Sequence, residues 1–380
     1  MGYLDHNATT PLAPAALEAM LPFLRDEFGN PSSIHAHGRR ARAAIDDARD
    51  RLAALLGARP HEIIFTSGGT ESVNLGILGL ALSGKGRHLV TAATEHHAVL
   101  HAMEFLRTRH GFDLTVLPVD AGGRVDPGVL ATALRPDTAL VSIMSANNET
   151  GVLQPIRELA AICRERNVLF HSDMVQSFGK ETVAPHELGV TAMSIAGHKF
   201  YGPKGVGALF LKAGTSLVTL HHGGAHENQR RPGTENVAAI AGMAAAAELV
   251  HDEMEAAQDR QRELRDWLWE GISSEFPAAV RNGDPKNCLA NTLNVSFPGA
   301  DGETLLMGLD MEGVSASSGS ACMVGSVQPS HVLIAMGVPA EIAQATVRFS
   351  LGKPTTFADI ETALTALARV LERQTAPPDA

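Results

Sequence analysis

The sequence predicts an α/β fold, in which a large domain with a mostly parallel central sheet is followed by a smaller α+β C-terminal domain. Short apolar runs alternate with helical patterns through the first two-thirds of the 380 residues, and this alternation is typical of parallel sheets. The alternation stops near residue 250, where a long polar helical pattern begins without flanking strands. A composition of 44% hydrophobic and 19% charged residues is that of a globular protein large enough for more than one core.

The individual elements follow from these patterns. The predicted strands of the larger domain are residues 62–65, 88–91, 114–117, 139–143, 168–172, 192–195 and 208–211. The predicted helices between them are residues 71–82, 95–109, 128–134 and 156–166, and the alanine-rich residues 236–250 predict a buried helix. In the smaller domain we predict a helix at 252–272, a strand at 292–297, a Gly/Ser-rich loop at 315–326, a strand at 345–350 and a closing helix at 357–371.

Charge and cysteine content exclude several classes of protein. There are 31 Lys and Arg residues against 42 Asp and Glu residues, a net charge of −11, which argues against phosphate-neutralising nucleic-acid binders and basic membrane-surface proteins. No apolar run approaches the ~18 residues that span a bilayer, and no signal-peptide pattern is visible. Three cysteines do not make a disulfide framework, so we expect a cytoplasmic protein in a reducing environment.

Polar residues follow four of the predicted strands, at the edge where parallel sheets bind ligands. The strand at 62–65 leads into a Thr-Ser-Gly-Gly-Thr segment before a helix, a pattern that favours an anion at the helix N-terminus. The other three strands lead to His96, to Asn148 and to Asp173 with Gln176. Each could be an ordinary loop residue or a helix cap, but four such groups at one edge favour a binding site.

Lys199 lies just after the strand at 192–195, among small and aromatic residues. A lysine withdrawn from water has a lowered pKa and can form a Schiff base. A lysine of this kind, an upstream acid and a Gly/Thr phosphate loop are together what pyridoxal phosphate requires. A surface position is the alternative for Lys199, although Lys204, between Pro203 and Gly205, fits that role better.

Two residues stand out in the smaller domain. Cys322 ends a loop of small residues, so we expect an exposed and mobile thiol that can act as a nucleophile. The other cysteines, Cys163 and Cys288, are predicted to be buried structural residues. Arg348 interrupts an apolar strand and needs an anionic partner, either a substrate carboxylate or an internal salt bridge. Among the 17 histidines, His97 and His101 are four residues apart, and His221, His222 and His226 could imitate a metal cluster. No Cys or acidic ligand with conventional zinc spacing lies near them in the sequence, so no dedicated metal site is predicted.

Together these residues resemble the cysteine desulfurases, pyridoxal-phosphate enzymes of fold type I and of the class-V aminotransferase group. The resemblance runs from Tyr3 to about Leu371. It is carried by YLDHNATTP at residues 3–11, GNPSS at 29–33, FTSGGTES at 65–72, NNETG at 147–151, GHK at 197–199 and RPGT at 231–234. SSGSAC at 317–322 is similar to the subgroup whose nucleophile sits in a long mobile loop. By resemblance, the large pyridoxal-phosphate domain is expected at 15–257, and the small domain at 1–14 and 258–380.

The resemblance implies roles for the residues around the cofactor ring. Lys199 would hold pyridoxal phosphate as a Schiff base, and Asp173 would pair with its pyridinium nitrogen. Gln176 would bond the phenolic oxygen, with Asn148 nearby. His96 would stack on the ring and handle the proton of the substrate thiol.

The resemblance also implies the phosphate and substrate contacts. Gly69, Thr70 and His198 would bind the cofactor phosphate, joined by Thr234 of the partner subunit in a homodimer. Asn148 and Arg348 would clamp the carboxylate of L-cysteine.

The sequence departs from the pattern of the family in two places. Ala196 stands where the family commonly has Ser, which removes a phosphate hydrogen bond of about 1.5–3 kcal/mol if nothing replaces it, and the C-terminal tail is shorter than in housekeeping members.

The reaction implied by the resemblance converts L-cysteine to L-alanine and leaves a persulfide on Cys322. The sulfur would pass to an acceptor protein such as an iron–sulfur scaffold, or to other thio-cofactors and tRNA thiolation. Cys322 could transiently ligate an iron–sulfur cluster. Two alternatives stay open: another class-V reaction, such as that of a selenocysteine lyase or a small aminotransferase, and a non-catalytic sulfur-trafficking scaffold.

Overall fold

The computed structural model describes residues 2–318 and 329–375. Its strands are β1 (Gly2–Tyr3), β2 (Ile63–Thr66), β3 (His88–Ala92), β4 (Asp113–Leu117), β5 (Thr138–Ser142), β6 (Leu169–Asp173), β7 (Ala192–Ala196), β8 (Gly207–Leu211), β9 (Val280–Arg281), β10 (Thr292–Ser296), β11 (Val314–Ser315) and β12 (Thr346–Ser350).

The helices alternate with these strands over most of the chain. They are α1 (Pro14–Arg25), α2 (Ala36–Leu55), α3 (Gly69–Ser83), α4 (His97–His110), α5 (Pro127–Ala133), α6 (Ile156–Glu165), α7 (Pro185–Leu188), α8 (Val237–Asp252), α9 (Met254–Glu275), α10 (Gly302–Met311), α11 (His331–Ala335), α12 (Ala340–Gln344) and α13 (Phe357–Thr375).

A seven-stranded sheet in the order β2-β8-β7-β6-β5-β3-β4 forms the centre of the larger part of the molecule. All neighbouring strands are parallel except β8, which runs antiparallel to both β2 and β7. The predicted α/β class is therefore confirmed, and each predicted strand of this sheet lies within a residue or two of the observed one.

The sheet is buried on both faces by helices. Side chains of β8 alternate between two hydrophobic layers: Phe210 packs with the layer that includes α2, α6 and α8, and Leu209 packs with the layer of α3 and α4. This alternation is the two-residue period of a strand, and it explains why the sequence reads as continuous apolar runs. In the part of the chain that the structure describes, no helix is long and apolar enough to cross a membrane.

A separate hydrophobic cluster joins the start of the chain to its last third. Strands β12, β10 and β9 form an antiparallel sheet, against which α9, α10 and α13 pack. Leu4 is buried in this cluster, and β1 pairs with β11 in parallel. Two domains each need a hydrophobic core of their own, and this cluster is separate from the one around the central sheet. The bounds expected for the two domains stay a prediction.

Candidate active site

The carboxyl ends of β3, β5, β6 and β7 meet beside the start of α3, around a cavity of about 280 Å³. The cavity contains the predicted site residues that the structure describes, apart from Thr234. These are Gly69, Thr70, His96, Asn148, Asp173, Gln176, His198, Lys199 and Arg348. Parallel strands end at the same edge, so residues more than 100 positions apart converge there.

Lys199 ends the short 3₁₀ turn that follows β7. Its Nζ atom donates hydrogen bonds to the main-chain carbonyls of Asn7, at 2.6 Å, and Ala8, at 2.9 Å. The ammonium group is thus held at the wall of the cavity by the segment that follows β1. Lys204 is exposed, as the sequence indicates.

Asp173 is the last residue of β6, and its side chain is buried at the cavity. Burial raises the pKa of this carboxyl from 3.8 to about 6, although a hydrogen bond from the amide of Val175 and the charge of Lys199 oppose the rise. The Val175 bond is 2.9 Å long and uses Oδ1. A buried carboxylate in this position is suited to a cationic ligand, such as a protonated ring nitrogen.

We expect Asp173→Asn to stabilise the ligand-free protein above pH 6, by on the order of 2–3 kcal/mol. The raised pKa means that ionised Asp173 opposes folding at neutral pH, whereas Asn keeps the bond from Val175 and carries no charge. The difference should shrink as the pH falls towards the ordinary carboxyl pKa of 3.8, well below which Asp173 is protonated in both the folded and the unfolded chain. Urea unfolding at pH 8 and at pH 4 measures it, and equal effects at both values would contradict the argument.

His96 caps the N-terminus of α4, where its Nδ1 accepts a hydrogen bond from the amide of Ala98 at 3.1 Å. Burial lowers its pKa to about 4, and the charges of Lys199 and of neighbouring histidines add to the effect. The imidazole is therefore neutral at pH 7. A neutral ring at the cavity wall can stack on a planar ligand and can accept a proton.

The start of α3 has the geometry of an anion site. Gly69 and Thr70, the first residues of the helix, line the cavity, and a helix N-terminus favours negative charge. A Cβ atom on Gly69 would lie 2.9 Å from Val175 Cγ2 and 3.2 Å from Ala196 Cβ, so only glycine leaves this cradle open. His198 also lines it, with Nδ1 3.1 Å from Thr9 Oγ1.

Arg348 is buried in β12, and its Nη2 atom lies 2.5 Å from Asp5 Oδ1. Nη1 donates to the main-chain carbonyl of Asn148 at 2.9 Å. The internal salt bridge considered from the sequence is therefore present, and the same guanidinium also lines the cavity, where a substrate carboxylate could reach it.

The three cysteines have different settings. Cys163 is buried on α6, as predicted, and burial raises its pKa to about 12. The prediction that Cys288 is buried is wrong: it is half-exposed in the loop before β10, where Arg265 Nη1 donates to its sulfur at 3.4 Å. Cys322 lies outside the described residues.

On one side of Cys322, Ser317 pairs with a residue of the cavity lining, and on the other side His331 is itself part of the lining. Ser317 pairs with Arg348, with an Arg348 N to Ser317 O distance of 2.6 Å. His331 begins α11 and lines the cavity, where one ring nitrogen lies 2.9 Å from the carbonyl of Glu95.

Thr234 lines a different, open cavity of about 490 Å³, with Ser67, Glu71 and Arg231. Sequence reasoning gave no individual role to Asn7 or His331, although both line the site. The only available signal for Asn7 was its place in the first family-like motif. Among the described residues, no group of three or more His, Cys, Asp or Glu side chains could hold a metal ion.

The fold and the site define a class-V aminotransferase, and the family model for "Aminotransferase class-V" matches residues 2–363. That family depends in general on pyridoxal phosphate. Among curated relatives, cysteine desulfurase IscS of Dictyoglomus turgidum is 51% identical over 98% of this chain and 94% of its own length. The IscS-like cysteine desulfurase of Mycobacterium tuberculosis is 46% identical over 98% and 97%. This chain belongs to the cysteine desulfurase family within the class-V aminotransferases.

Solved structures agree with this assignment. A NifS-like protein matches with a TM-score of 0.92 and 37% identity, covering 98% of this chain and 100% of that chain. SspA in complex with cysteine matches with a TM-score of 0.82 and 37% identity, covering 92% and 99%. The resemblance to the cysteine desulfurases and the fold expected from the sequence are both confirmed.

Proposed function

We propose that this protein is a pyridoxal-phosphate-dependent cysteine desulfurase that converts L-cysteine to L-alanine and carries the sulfur as a persulfide on Cys322. The observation that carries the proposal is the cavity itself, where Lys199, Asp173 and a neutral His96 lie beside an anion cradle. On one side of Cys322, Ser317 pairs with Arg348 of the cavity lining, and on the other side His331 lines the cavity. One solved relative, SspA, is in complex with cysteine, which fits the same chemistry.

The chain's residues fit the cofactor group by group. Asp173 would hold the ring nitrogen protonated, and the amides of Gly69 and Thr70, with His198, would hold the phosphate. Gln176 and Asn148 would face the phenolic oxygen. Bound pyridoxal phosphate supplies an electron sink, which makes the α-proton of an amino acid acidic and the Cβ–S bond labile.

The remaining steps fall to the protein's own groups. Lys199 Nζ would take the α-proton and later return a proton to the product. Arg348 and Asn148 would hold the substrate carboxylate, and His96 would accept the thiol proton. The Cys322 thiolate would then form a bond to the substrate sulfur while the Cβ–S bond breaks, leaving alanine and a persulfide.

We expect Cys322→Ser to stop alanine and persulfide formation almost completely, because neither other cysteine is placed to receive sulfur. Cofactor binding and the cysteine-induced spectral change should persist, because they use Lys199 and Asp173. The matched control is the Cys163→Ser/Cys288→Ser double variant, which should resemble the unchanged protein. Near-normal turnover by Cys322→Ser would favour a selenocysteine-lyase type of elimination, which forms no protein persulfide, and loss of the spectral change would undermine the cofactor assignment.

The protein is proposed to act as a homodimer, in which Thr234 of the partner subunit completes the phosphate site. In one subunit, Thr234 lies in an open cavity outside its own active-site cavity. The acceptor of the sulfur is proposed to be a protein such as an iron–sulfur scaffold. A cytoplasmic location stays a prediction.

We expect subunit mixing to reveal this sharing. Subunits with Lys199→Ala keep Thr234, and subunits with Thr234→Val keep Lys199, so a mixed dimer contains one complete site if Thr234 acts across the interface. Unfolding and refolding the two inactive variants together should restore up to about a quarter of normal activity, since half of the dimers are mixed and each has one good site. Each variant refolded alone is the control. Failure to recover activity from folded mixed dimers would mean that Thr234 acts within its own subunit.

A further inference from the structure

Lys180 is a lysine beside the active site for which the proposed reaction has no use. It follows β6 by seven residues, and it lines a small cavity of about 30 Å³ that shares Lys199 with the active-site cavity. Its Nζ atom donates to Gln176 Oε1 at 3.0 Å and to Asn7 Oδ1 at 2.9 Å. Burial lowers its pKa to about 7, and the charges of Lys199 and Arg348 act in the same direction. Both residues that accept a hydrogen bond from Lys180, Asn7 and Gln176, line the active-site cavity.

The hydrogen bonds around Gln176 fix which way its amide faces. Lys180 Nζ donates to Gln176 Oε1 and to Asn7 Oδ1, and the carbonyl of Asn7 can only accept. The oxygen of the Gln176 amide therefore faces Lys180, and Nε2 donates to the Asn7 carbonyl at 2.9 Å. The amide nitrogen has two hydrogens, and only one of them is used by Asn7. Since Gln176 lines the active-site cavity, the second hydrogen is available to a ligand there.

Lys180 also fixes the residue on the other side of the amide. Asn7 Oδ1 accepts from Lys180 and from Asn291 Nδ2, at 3.1 Å, while Asn7 Nδ2 donates to Thr292 Oγ1 at 2.9 Å. The backbone of Asn7 is thereby held in place, and its carbonyl receives both Gln176 and Lys199. Lys180 thus holds both Asn7, whose carbonyl accepts from Gln176, and the Gln176 amide itself.

We propose that Lys180 is a positioning residue, which holds the Gln176 amide so that its nitrogen donates to the phenolic oxygen of the cofactor. The inference rests on the proposed function, because it assumes that pyridoxal phosphate binds in the cavity. Without Lys180, the oxygen end of the amide has no fixed donor, and the side chain can rotate away from the ligand. The loss is that of one hydrogen bond to the cofactor.

The test compares Lys180→Met, which keeps the length of the side chain and removes its donors, with Lys180→Arg, which keeps them. The readouts are the rate of cofactor loss during dialysis and the pH midpoint of the absorbance change of the bound cofactor. For Lys180→Met we expect loss about tenfold faster and a midpoint moved by about one pH unit, since a tenfold change in an equilibrium corresponds to one pH unit. Lys180→Arg should recover most of both effects, and exposed Lys204→Met should show neither.

A double-mutant cycle with Gln176→Met separates positioning from a general structural role. If Lys180 acts through Gln176, Lys180→Met should have no further effect on either readout in the Gln176→Met protein. Additive effects, or a Lys180→Met protein identical to the unchanged one, would overturn the inference. If Lys180→Met does not fold, Lys180→Gln takes its place in the same cycle. Failure of the proposed function is distinguishable, because the unchanged protein would then bind no pyridoxal phosphate.

Discussion

Replacing Lys199 with alanine is expected to abolish the yellow colour of covalently bound pyridoxal phosphate and to lower cysteine turnover by about 10⁴-fold. Lys199 would both attach the cofactor and move the α-proton, so one substitution removes a covalent bond and a general base. The structure holds its Nζ at the cavity wall by two main-chain carbonyls, a geometry that no neighbouring lysine in the described residues reproduces. Absorbance spectra and alanine production by the purified variant are the measurements.

The control for this prediction is Lys204→Ala, five residues further along the chain. Lys204 is exposed and does not line the cavity, so its removal should leave both colour and turnover unchanged. A colourless Lys204→Ala protein beside a normal Lys199→Ala protein would reverse the assignment of the cofactor lysine.

Replacing Arg49 with methionine is expected to lower the free energy of unfolding by about 3–5 kcal/mol. Arg49 binds Glu227 through two hydrogen bonds of 2.6 and 2.7 Å, and the side chain of Glu227 is 0% exposed. The carboxylate also accepts from the amide of Phe65 at 3.0 Å, and Nη1 of Arg49 donates to the carbonyl of Ile63 at 2.7 Å. Methionine fills similar space but leaves a buried negative charge without its cation. Urea unfolding at pH 8 measures the loss.

Arg107→Met is a matched control, since Arg107 binds Glu104 through two bonds of 2.7 and 2.8 Å at an exposed position, where the two side chains are 52% and 47% exposed. Solvent already screens that pair, so no measurable loss of stability is expected. Adding Glu227→Gln to Arg49→Met should recover part of the loss, because the uncompensated charge is removed. Similar losses for Arg49→Met and Arg107→Met would show that burial is not what makes the first pair important.

The strands and most helices could be predicted because their side-chain patterns depend only on local sequence. The apolar run that forms β8 predicts a strand, but such a run looks the same in either direction, so its antiparallel pairing depends on the rest of the sheet. No prediction was made for the two-residue strands β1, β9 and β11 or for the helices α1, α7, α10, α11 and α12, and none was made for α2. Its buried residues Ala41, Ile45, Ala48 and Leu52 lie on one face of a segment that is rich in arginine and aspartate, where charge dominates the composition.

The site was predictable where it is built from the ends of strands. Asp173 ends β6 and Lys199 lies three residues after the end of β7, so their place at the sheet edge follows from topology alone. Asn7 and His331 come from segments with no strand pattern of their own, and only tertiary contacts bring them to the cavity. For Arg348, the sequence could not separate an internal salt bridge from a substrate contact, because the same guanidinium faces Asp5 and the cavity.

The pairing of β1 with β11 has a consequence for how the protein is made on the ribosome. The central sheet requires the chain only up to Leu211, so it can form while the last third is still being translated. The carbonyls of Asn7 and Ala8 that hold Lys199 belong to a segment fixed by Val314, Ser315 and Ser350. Residues 2–8, which are synthesised before the sheet, are therefore among the last to reach their final place, and a nascent chain that has folded its sheet still lacks a finished active site.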